Sequence, residues 1–173
     1  MKKIVLLTMM LMALVSCDNK NIAKDAYKGL EKQEQENAEL DSITQFARKS
    51  FDDFKLALEM KDASMSNFIV KQEYIVKEGD RTRQEHLWVR DVHFDKGVLK
   101  GVIDNQPVAT KEVKLNDTIT IDDNKISDWM FYKVEGTDTI PKVIGGYSVK
   151  YMRSKLSDKE KVDFDKQYQA KFD

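Results

Sequence analysis

Apolar residues change their spacing along the chain, and the change separates two kinds of predicted element. Between Leu40 and Met60 they recur every three or four residues, which places them on one face of a helix. The residues of this stripe are Leu40, Ile43, Ala47, Phe51, Phe54 and Leu58. We therefore predict one helix over 40–60 that packs against the core.

From Phe68 onward the apolar spacing shortens to two residues, which is typical of strands with one buried face. The predicted strands are Phe68–Val76, Glu85–Phe94, Val98–Ile103, Asp117–Ile121, Ile126–Val134 and Tyr147–Arg153. Turn sequences at 78–80 and 95–97 separate the first three strands and predict an antiparallel meander. The residues from Ser157 to Glu160 match a capping box, which predicts a C-terminal helix.

Strands gathered between two helices, without regular alternation of strand and helix, predict an α+β fold. We expect a bent antiparallel sheet or a small open barrel of about six strands, packed with an N-terminal and a C-terminal helix. A single domain over 40–173 is long enough to bury one core. The sequence has one cysteine, so no disulfide is available to stabilise this domain.

The first apolar run, residues 4–15, follows two lysines and leads into Leu14-Val15-Ser16-Cys17. Such an arrangement is typical of an export signal, and the run is shorter than the roughly 20 residues that span a membrane. The four residues that end at Cys17 resemble the bacterial lipobox. The resemblance implies a signal peptide over 1–16 and acyl chains on Cys17 that anchor the protein to the inner or outer membrane, outside the cytoplasm. The alternative is a leftover thiol beside an ordinary cleavage site.

Residues 17–39 are rich in Lys, Glu, Gln, Asn and Asp. We interpret this segment as a polar tether between the lipid and the domain. The alternative is a short helix whose apolar residues are Ala23, Ala26, Tyr27 and Leu30.

Net charge disfavours one class of partner. Without Lys2 and Lys3 the 29 Lys and Arg residues fall to about 27, against 30 Asp and Glu, so the mature chain carries a net charge of about −3. A chain with this balance has no basic footprint for nucleic acid. We expect its partners to be the lipid bilayer, through acylated Cys17, and another protein of the cell envelope.

Four segments between residues 68 and 153 carry a family resemblance: EHLWVRDV, GVIDNQP, ISDWMFYKVEG and GGYSVKYMR. In order and spacing they resemble the bacterial family known as domain of unknown function 2314, the YegJ-like proteins, which share E-H-x-W, N-x-P, I-S-D-W and G-G-Y/F-T-x-R segments. Ser148 stands where the family has threonine, which is a conservative difference. The resemblance implies no established activity and therefore assigns no catalytic residue.

The polar and aromatic residues of these segments form a candidate binding surface. Its members are Glu85, His86, Trp88, Asp128, Trp129, Tyr147 and Arg153. Trp and Tyr combine a large contact area with a polar group, and they are frequent at the energetic centres of interfaces. The alternative is structural: the polar members hold turns through hydrogen bonds to the backbone, as Asn105 and Pro107 would at the end of a strand.

An envelope hydrolase is the second function that we consider, with Glu85 and Asp128 as carboxylates and His86 as a proton shuttle. In a regular strand the seven-residue separation of His86 and His93 puts them on opposite faces, which disfavours a shared metal. The sequence has no nucleophile elbow and no phosphate-binding glycine motif. These observations favour binding over catalysis, with no cofactor or metal expected.

Overall fold

The structure is a computed structural model that describes the backbone of residues 19–172 and the side chains of residues 32–172. The chain divides into two units, Met1–Asn37 and Ala38–Asp173. Residues 19–37 of the first unit are helical, and the second unit contains the sheet. The predicted signal peptide and Cys17 lie outside the described residues.

Six antiparallel strands form one open sheet in the second unit. They are β1 (Met65–Glu78), β2 (Arg81–Asp95), β3 (Val98–Ile103), β4 (Thr118–Thr120), β5 (Ile126–Lys133) and β6 (Lys142–Gly145). Their order is β4-β3-β2-β1-β5-β6, so the first three strands form the predicted meander. The α+β class and the number of strands are confirmed, and the sheet does not close into a barrel.

Four α-helices accompany the sheet within residues 19–172: α1 (Asn19–Lys49), α2 (Phe51–Met60), α3 (Tyr147–Ser154) and α4 (Asp158–Tyr168). The segment interpreted as a tether is helical from Asn19 onward, as in the alternative reading, although its role as a tether stays a prediction. The helix predicted over 40–60 is divided at Ser50, whose hydroxyl donates to the carbonyl oxygen of Phe46 at 2.9 Å. The capping box of α4 is confirmed at Ser157 and Glu160.

The strand predicted at Tyr147–Arg153 is wrong, because these residues form α3. The sixth strand lies just before them, at Lys142–Gly145. Alternating apolar and polar side chains from Tyr147 to Tyr151 resemble a strand pattern, but the helix begins directly after two glycines with positive φ.

Hydrophobic side chains pack on both faces of the sheet. On one face α1 and α2 bury Ala47, Phe51 and Phe54 against residues such as Val70 and Leu87. On the other face α3 and α4 form a second core that includes Met130, Val143, Val149 and Ala170. Neighbouring residues of a strand belong to different cores, because successive side chains point to opposite faces. Four residues of the predicted helical stripe are confirmed in the core: Ala47, Phe51 and Phe54 are buried, and Leu58 packs against them. Ile43 is half-buried outside the two cores, and Leu40 is exposed.

A bulge in β2 corrects the predicted placement of the two histidines. The register with β3 shifts between Arg90 and His93, and Asp91 has a φ of 53°. Before the bulge the buried residues are Leu87 and Val89, and after it the buried residue is Val92, so the alternation shifts by one position. His93 therefore lies on the face that carries His86. About 20 Å of strand still separates the two rings. Within the side chains described, no three His, Cys, Asp or Glu residues are grouped to hold a metal.

Candidate functional site

Asp128 occupies the centre of the candidate site, with a side chain that is 0% exposed. Its carboxylate accepts hydrogen bonds from the backbone N–H of Trp129 at 2.8 Å, Tyr147 at 3.1 Å and Ser148 at 2.8 Å. The Ser148 hydroxyl donates to the same carboxylate at 2.6 Å. Helix α3 begins after Gly146, which has no side chain to cap it. Asp128 therefore caps α3 from the neighbouring strand, where a negative charge also favours the helix N-terminus.

Lys71 lies beside Asp128 on the same face of the sheet. It is the cross-strand partner of Asp128 on β5 and of Trp88 on β2. Its ammonium donates to the Ser148 hydroxyl at 2.9 Å and lies 4.7 Å from the centre of the Trp88 ring. Burial lowers the pKa of Lys71, and the nearby Asp128 opposes that shift. Burial also raises the pKa of Asp128, against its hydrogen bonds and Lys71.

Lys71, Ser148 and Asp128 are called the Asp128 cluster below. A serine beside a lysine is one of the arrangements used for nucleophilic catalysis, provided that the lysine accepts the hydroxyl proton. Here the Ser148 hydroxyl donates to Asp128 and Lys71 donates to Ser148. Lys71 is therefore a hydrogen-bond donor to Ser148 and does not accept the hydroxyl proton. The cluster joins β1, β5 and α3 rather than activating the serine.

Trp129 and Tyr147 connect the same region to the junction of α1 and α2. The indole N–H of Trp129 donates to the carbonyl oxygen of Ala47 at 3.0 Å and lies 3.3 Å from the Ser50 hydroxyl. The Tyr147 hydroxyl lies 3.2 Å from the same serine oxygen. Trp129 is 3% exposed and packs between Phe54 and Tyr147, so it is a core residue.

The two glycines before α3 complete the arrangement. Gly145 and Gly146 have φ angles of +73° and +65°, which most residues with a side chain avoid. A Cβ at Gly145 would overlap the carbonyl oxygen of Trp129 and come within 2.7 Å of its ring atoms. This close approach explains the first glycine of the fourth segment. At the second glycine, Gly146, a Cβ would lie 2.9 Å from the Val143 side chain.

We expect Gly145→Ala to lower the free energy of unfolding by about 2–5 kcal/mol, because left-handed strain adds to steric overlap. Gly136→Ala is the matched control: its φ of +57° is similar, but nothing lies within 4 Å of the added Cβ. It should cost about 1–2 kcal/mol from strain alone. Urea denaturation followed by circular dichroism measures both losses. Equal losses would contradict the steric role of Trp129.

Glu85 holds a loop on the opposite face of the sheet. Its carboxylate accepts from the backbone N–H of Val108 at 2.6 Å, Ala109 at 3.0 Å and Thr110 at 2.6 Å. Desolvation acts to raise the pKa of Glu85, but these three bonds hold the pKa below its usual range. Asn105 has a similar role at the end of β3, where its side-chain oxygen accepts from the N–H of Trp88 at 2.7 Å.

The carboxylates of the hydrolase hypothesis do not converge. Glu85 precedes Leu87 by two residues and shares its face, whereas His86 shares the face of Trp88 and Asp128. The ring nitrogen Nδ1 of His86 lies 2.9 Å from the Ser127 hydroxyl. Each of the three residues thus has its own hydrogen-bond partners, on two faces of the sheet.

The seven predicted surface residues therefore separate into groups. Asp128 and Trp129 are buried and contribute to no exposed surface. Arg153 joins α3 to α4 through two hydrogen bonds to Asp165, at 2.6 and 2.7 Å. The remaining members are Glu85, Trp88 and Tyr147, which are half-buried, and His86, which is exposed. Sequence reasoning missed Lys71, because only the strand register brings it to Asp128.

A groove of about 1000 Å³ lies on the α4 side of the domain. Its apolar residues are Tyr132, Ile140, Pro141, Val162, Ala170 and Phe172, of which Ile140 is 48% and Val162 52% exposed. A second depression of about 470 Å³ shares Asn67 and Tyr132 with it and adds Ile69 and Met130. The two depressions, which have Asn67 and Tyr132 in common, are together called the α4 groove below.

The charged groups of the α4 groove are neutralised within the domain. Asp165 is paired with Arg153, and Lys171 lies 2.9 Å from Asp138. Lys166, which also lines the groove, is exposed and lies 3.6 Å from Asp163. At the other end Arg90 is paired with Asp91 and Asp104. A ligand of this groove therefore meets exposed apolar side chains and few uncompensated charges.

Helices that could cross a membrane are not found among the described residues. A sequence profile described as "Uncharacterized protein conserved in bacteria (DUF2314)" matches residues 37–172.

Two curated relatives match parts of the chain. The "Uncharacterized protein YegJ" of Escherichia coli strain K12 is 34% identical over 103 residues, which cover 60% of this chain and 60% of that protein. A "Putative ankyrin repeat protein" of Neisseria meningitidis serogroup B is 31% identical over 81 residues, which cover 47% of this chain and 30% of that protein. The matched part of the chain thus spans less than two thirds of either relative. No solved structure matches the chain.

Proposed function

The chain belongs to the bacterial family of domain of unknown function 2314. We propose that it is a lipid-anchored binding module of the cell envelope. The anchor in this proposal is Cys17, which ends the lipobox-like sequence after the apolar run. Two or three acyl chains hold a protein on a bilayer, since each buried CH₂ contributes about 0.8 kcal/mol.

The α4 groove is the surface that we assign to the partner. The larger of its two depressions, at about 1000 Å³, is at the upper end of the range of ligand sites. The exposed apolar residues Ile140 and Val162 line this depression together with Tyr132 and Phe172. Contiguous exposed apolar surface on a folded domain marks an interaction site more often than isolated apolar residues do. This groove is the observation that carries the proposal.

The charge pattern selects the kind of partner. Asp165, Lys171 and Arg90 each form an ion pair with an oppositely charged residue of the domain. A charged ligand that bound one of them would have to displace that ion pair. A neutral apolar ligand needs no such exchange. The occupant is therefore an uncharged apolar segment of another envelope protein.

The experiment places a photo-crosslinking amino acid at Ile140 or at Val162 in cells. Both positions should yield a crosslink to the same envelope protein, and mass spectrometry should locate the crosslink in a segment without charged residues. Val108, which is 73% exposed and outside the groove, is the matched control position and should give no such product. Ile140→Asp and Val162→Asp should each reduce the crosslink from the other position at least about tenfold, because a charge enters the apolar contact.

Three outcomes would overturn the proposal. Equal crosslinking at Val108 would mean that the groove has no preference for a partner. A crosslinked segment rich in charges would contradict the apolar chemistry of the occupant. Crosslinks to lipid alone would assign the groove to the bilayer rather than to a protein.

A further inference from the structure

A pocket of about 670 Å³ lies on the side of the sheet opposite the Asp128 cluster. Gln72 and Tyr74 on β1 line it, together with Glu112 and residues of the segment from Ile119 to Lys125. It shares no residue with the α4 groove, and nothing in the proposed function depends on it.

Gln72, which lines this pocket, has a buried side-chain acceptor without a donor. Its side chain is 0% exposed, and Nε2 donates to the carbonyl oxygen of Asp122 at 3.0 Å. The other amide atom, Oε1, is buried without a hydrogen-bond partner. Exchanging the two amide atoms would set Oε1 against the carbonyl of Asp122, so the donor to Asp122 fixes the orientation. A buried acceptor left without a donor is costly, which marks the position where a donor from outside fits.

The pocket also has one negative charge that no cation balances. Among its carboxylates, Glu112 lies 3.1 Å from Lys125, and Asp123 lies 2.9 Å from Lys55. The exposed carboxylate of Asp122 accepts hydrogen bonds from the backbone and side-chain N–H groups of Asn124 and pairs with no cation among the side chains that the structure describes.

The walls suit a small organic cation. Val113 and Ile119 supply apolar surface, and the buried Tyr74 supplies an aromatic face. An aromatic ring attracts cations, as the ammonium of Lys125 shows at 4.9 Å from the Tyr74 ring centre. Burial and the Glu112 carboxylate raise the pKa of Tyr74 to about 12, so its hydroxyl keeps its proton at neutral pH.

We propose that this pocket binds a primary ammonium group, which donates an N–H hydrogen bond to Gln72 Oε1 and balances the charge of Asp122. The ammonium belongs either to a small free amine or to a lysine side chain of another protein. Both sources present the same chemistry to the pocket.

The test titrates the full chain, labelled with ¹⁵N, with n-butylammonium chloride. We expect saturable shifts of the Gln72 side-chain amide and of the Tyr74 backbone amide. Tetramethylammonium, which has the same charge but no N–H, should bind at least about tenfold more weakly. Gln72→Met should weaken n-butylammonium binding about tenfold or more, since one hydrogen bond to a charged group is lost. Gln84→Met changes an exposed glutamine further along the hairpin and should leave binding unchanged.

Asp122→Asn decides the matter if Gln72→Met fails to fold. Asparagine keeps the oxygen that accepts from Asn124 but loses the charge, so binding should weaken about tenfold while the spectrum stays that of a folded protein. Absence of saturable shifts would mean that water alone fills the pocket and would overturn the proposal. Equal binding of tetramethylammonium, or unchanged binding by the folded variants, would overturn it as well.

A second titration distinguishes the two sources. Acetyl-Gly-Lys-Gly-amide presents a lysine side chain without other charges. Tighter binding of this peptide than of n-butylammonium would assign the pocket to a lysine of a partner protein, and weaker binding would assign it to a free amine. Either result supports an ammonium site, and failure of both ligands to bind contradicts it.

Discussion

An Asp128→Ala variant is expected to lose about 3–5 kcal/mol of unfolding free energy, which is a large part of the 5–15 kcal/mol typical of a domain. The substitution leaves the N–H groups of Tyr147 and Ser148 at the start of α3 without their acceptor. It also leaves the ammonium of Lys71 half-buried without a nearby carboxylate. Urea denaturation of the full chain measures the loss. If the loss equals the whole unfolding free energy of the domain, the variant is already unfolded at neutral pH and about 25 °C without urea, which also agrees with the prediction.

Three further variants identify the cause of that loss. Asp163→Ala removes an exposed carboxylate whose ion-pair distance to Lys166 is 3.6 Å, and it should change stability by less than about 0.5 kcal/mol. Asp128→Asn keeps one acceptor oxygen and should lose less than Asp128→Ala. Lys71→Met added to Asp128→Ala should restore part of the stability, because it removes the uncompensated charge. Equal losses for Asp128→Ala and Asp163→Ala would show that the buried carboxylate contributes nothing.

Cys17→Ser is expected to move the protein from the membrane fraction to the soluble fraction. Serine cannot form the thioether that carries the diacylglyceryl group, and the acyl chains are the anchor in the proposed function. The domain should remain folded, because its two cores are built from residues 47–170. Fractionation of cells followed by circular dichroism of the released protein measures both effects.

Ser16→Ala is the matched control for the anchor. Alanine is as small as serine, so the lipobox-like sequence keeps a small residue before Cys17 and the protein should stay in the membrane fraction. Retention of Cys17→Ser in the pellet after a high-salt wash would exclude lipidation as the means of attachment. A soluble but unfolded product would contradict the separation of the anchor from the fold.

Periodicity predicted those parts of the structure that depend on neighbouring residues. The strand at Val98–Ile103 was predicted with its observed bounds, and the capping box at Ser157 with both of its partners. The aromatic residues Phe51 and Phe54 were predicted as core, and they are buried. Each of these features rests on residues within a few positions of one another, so their pattern is visible in the sequence.

The roles of the candidate site residues depended on contacts that are distant along the chain. Asp128 caps a helix that begins 19 residues later, and Lys71 reaches Ser148 across 77 residues. No local period reports such contacts, so the sequence left Asp128 between a binding surface and a residue that holds a turn, and it predicted Trp129 as surface and Tyr147–Arg153 as a strand. The bulge at Asp91 changed the face of His93 in the same way, because a shift in pairing belongs to two strands together.

The sequence by itself determined the α+β class, the meander, the core face of the N-terminal helix and the lipobox-like segment, because each is encoded in consecutive residues. Only the tertiary structure decided that Glu85 and Asp128 lie on opposite faces, that the open sheet carries the α4 groove, and that Gln72 faces a pocket without a donor. Strand register and packing make these choices, and both arise from the free energy of the whole folded chain rather than from any one segment.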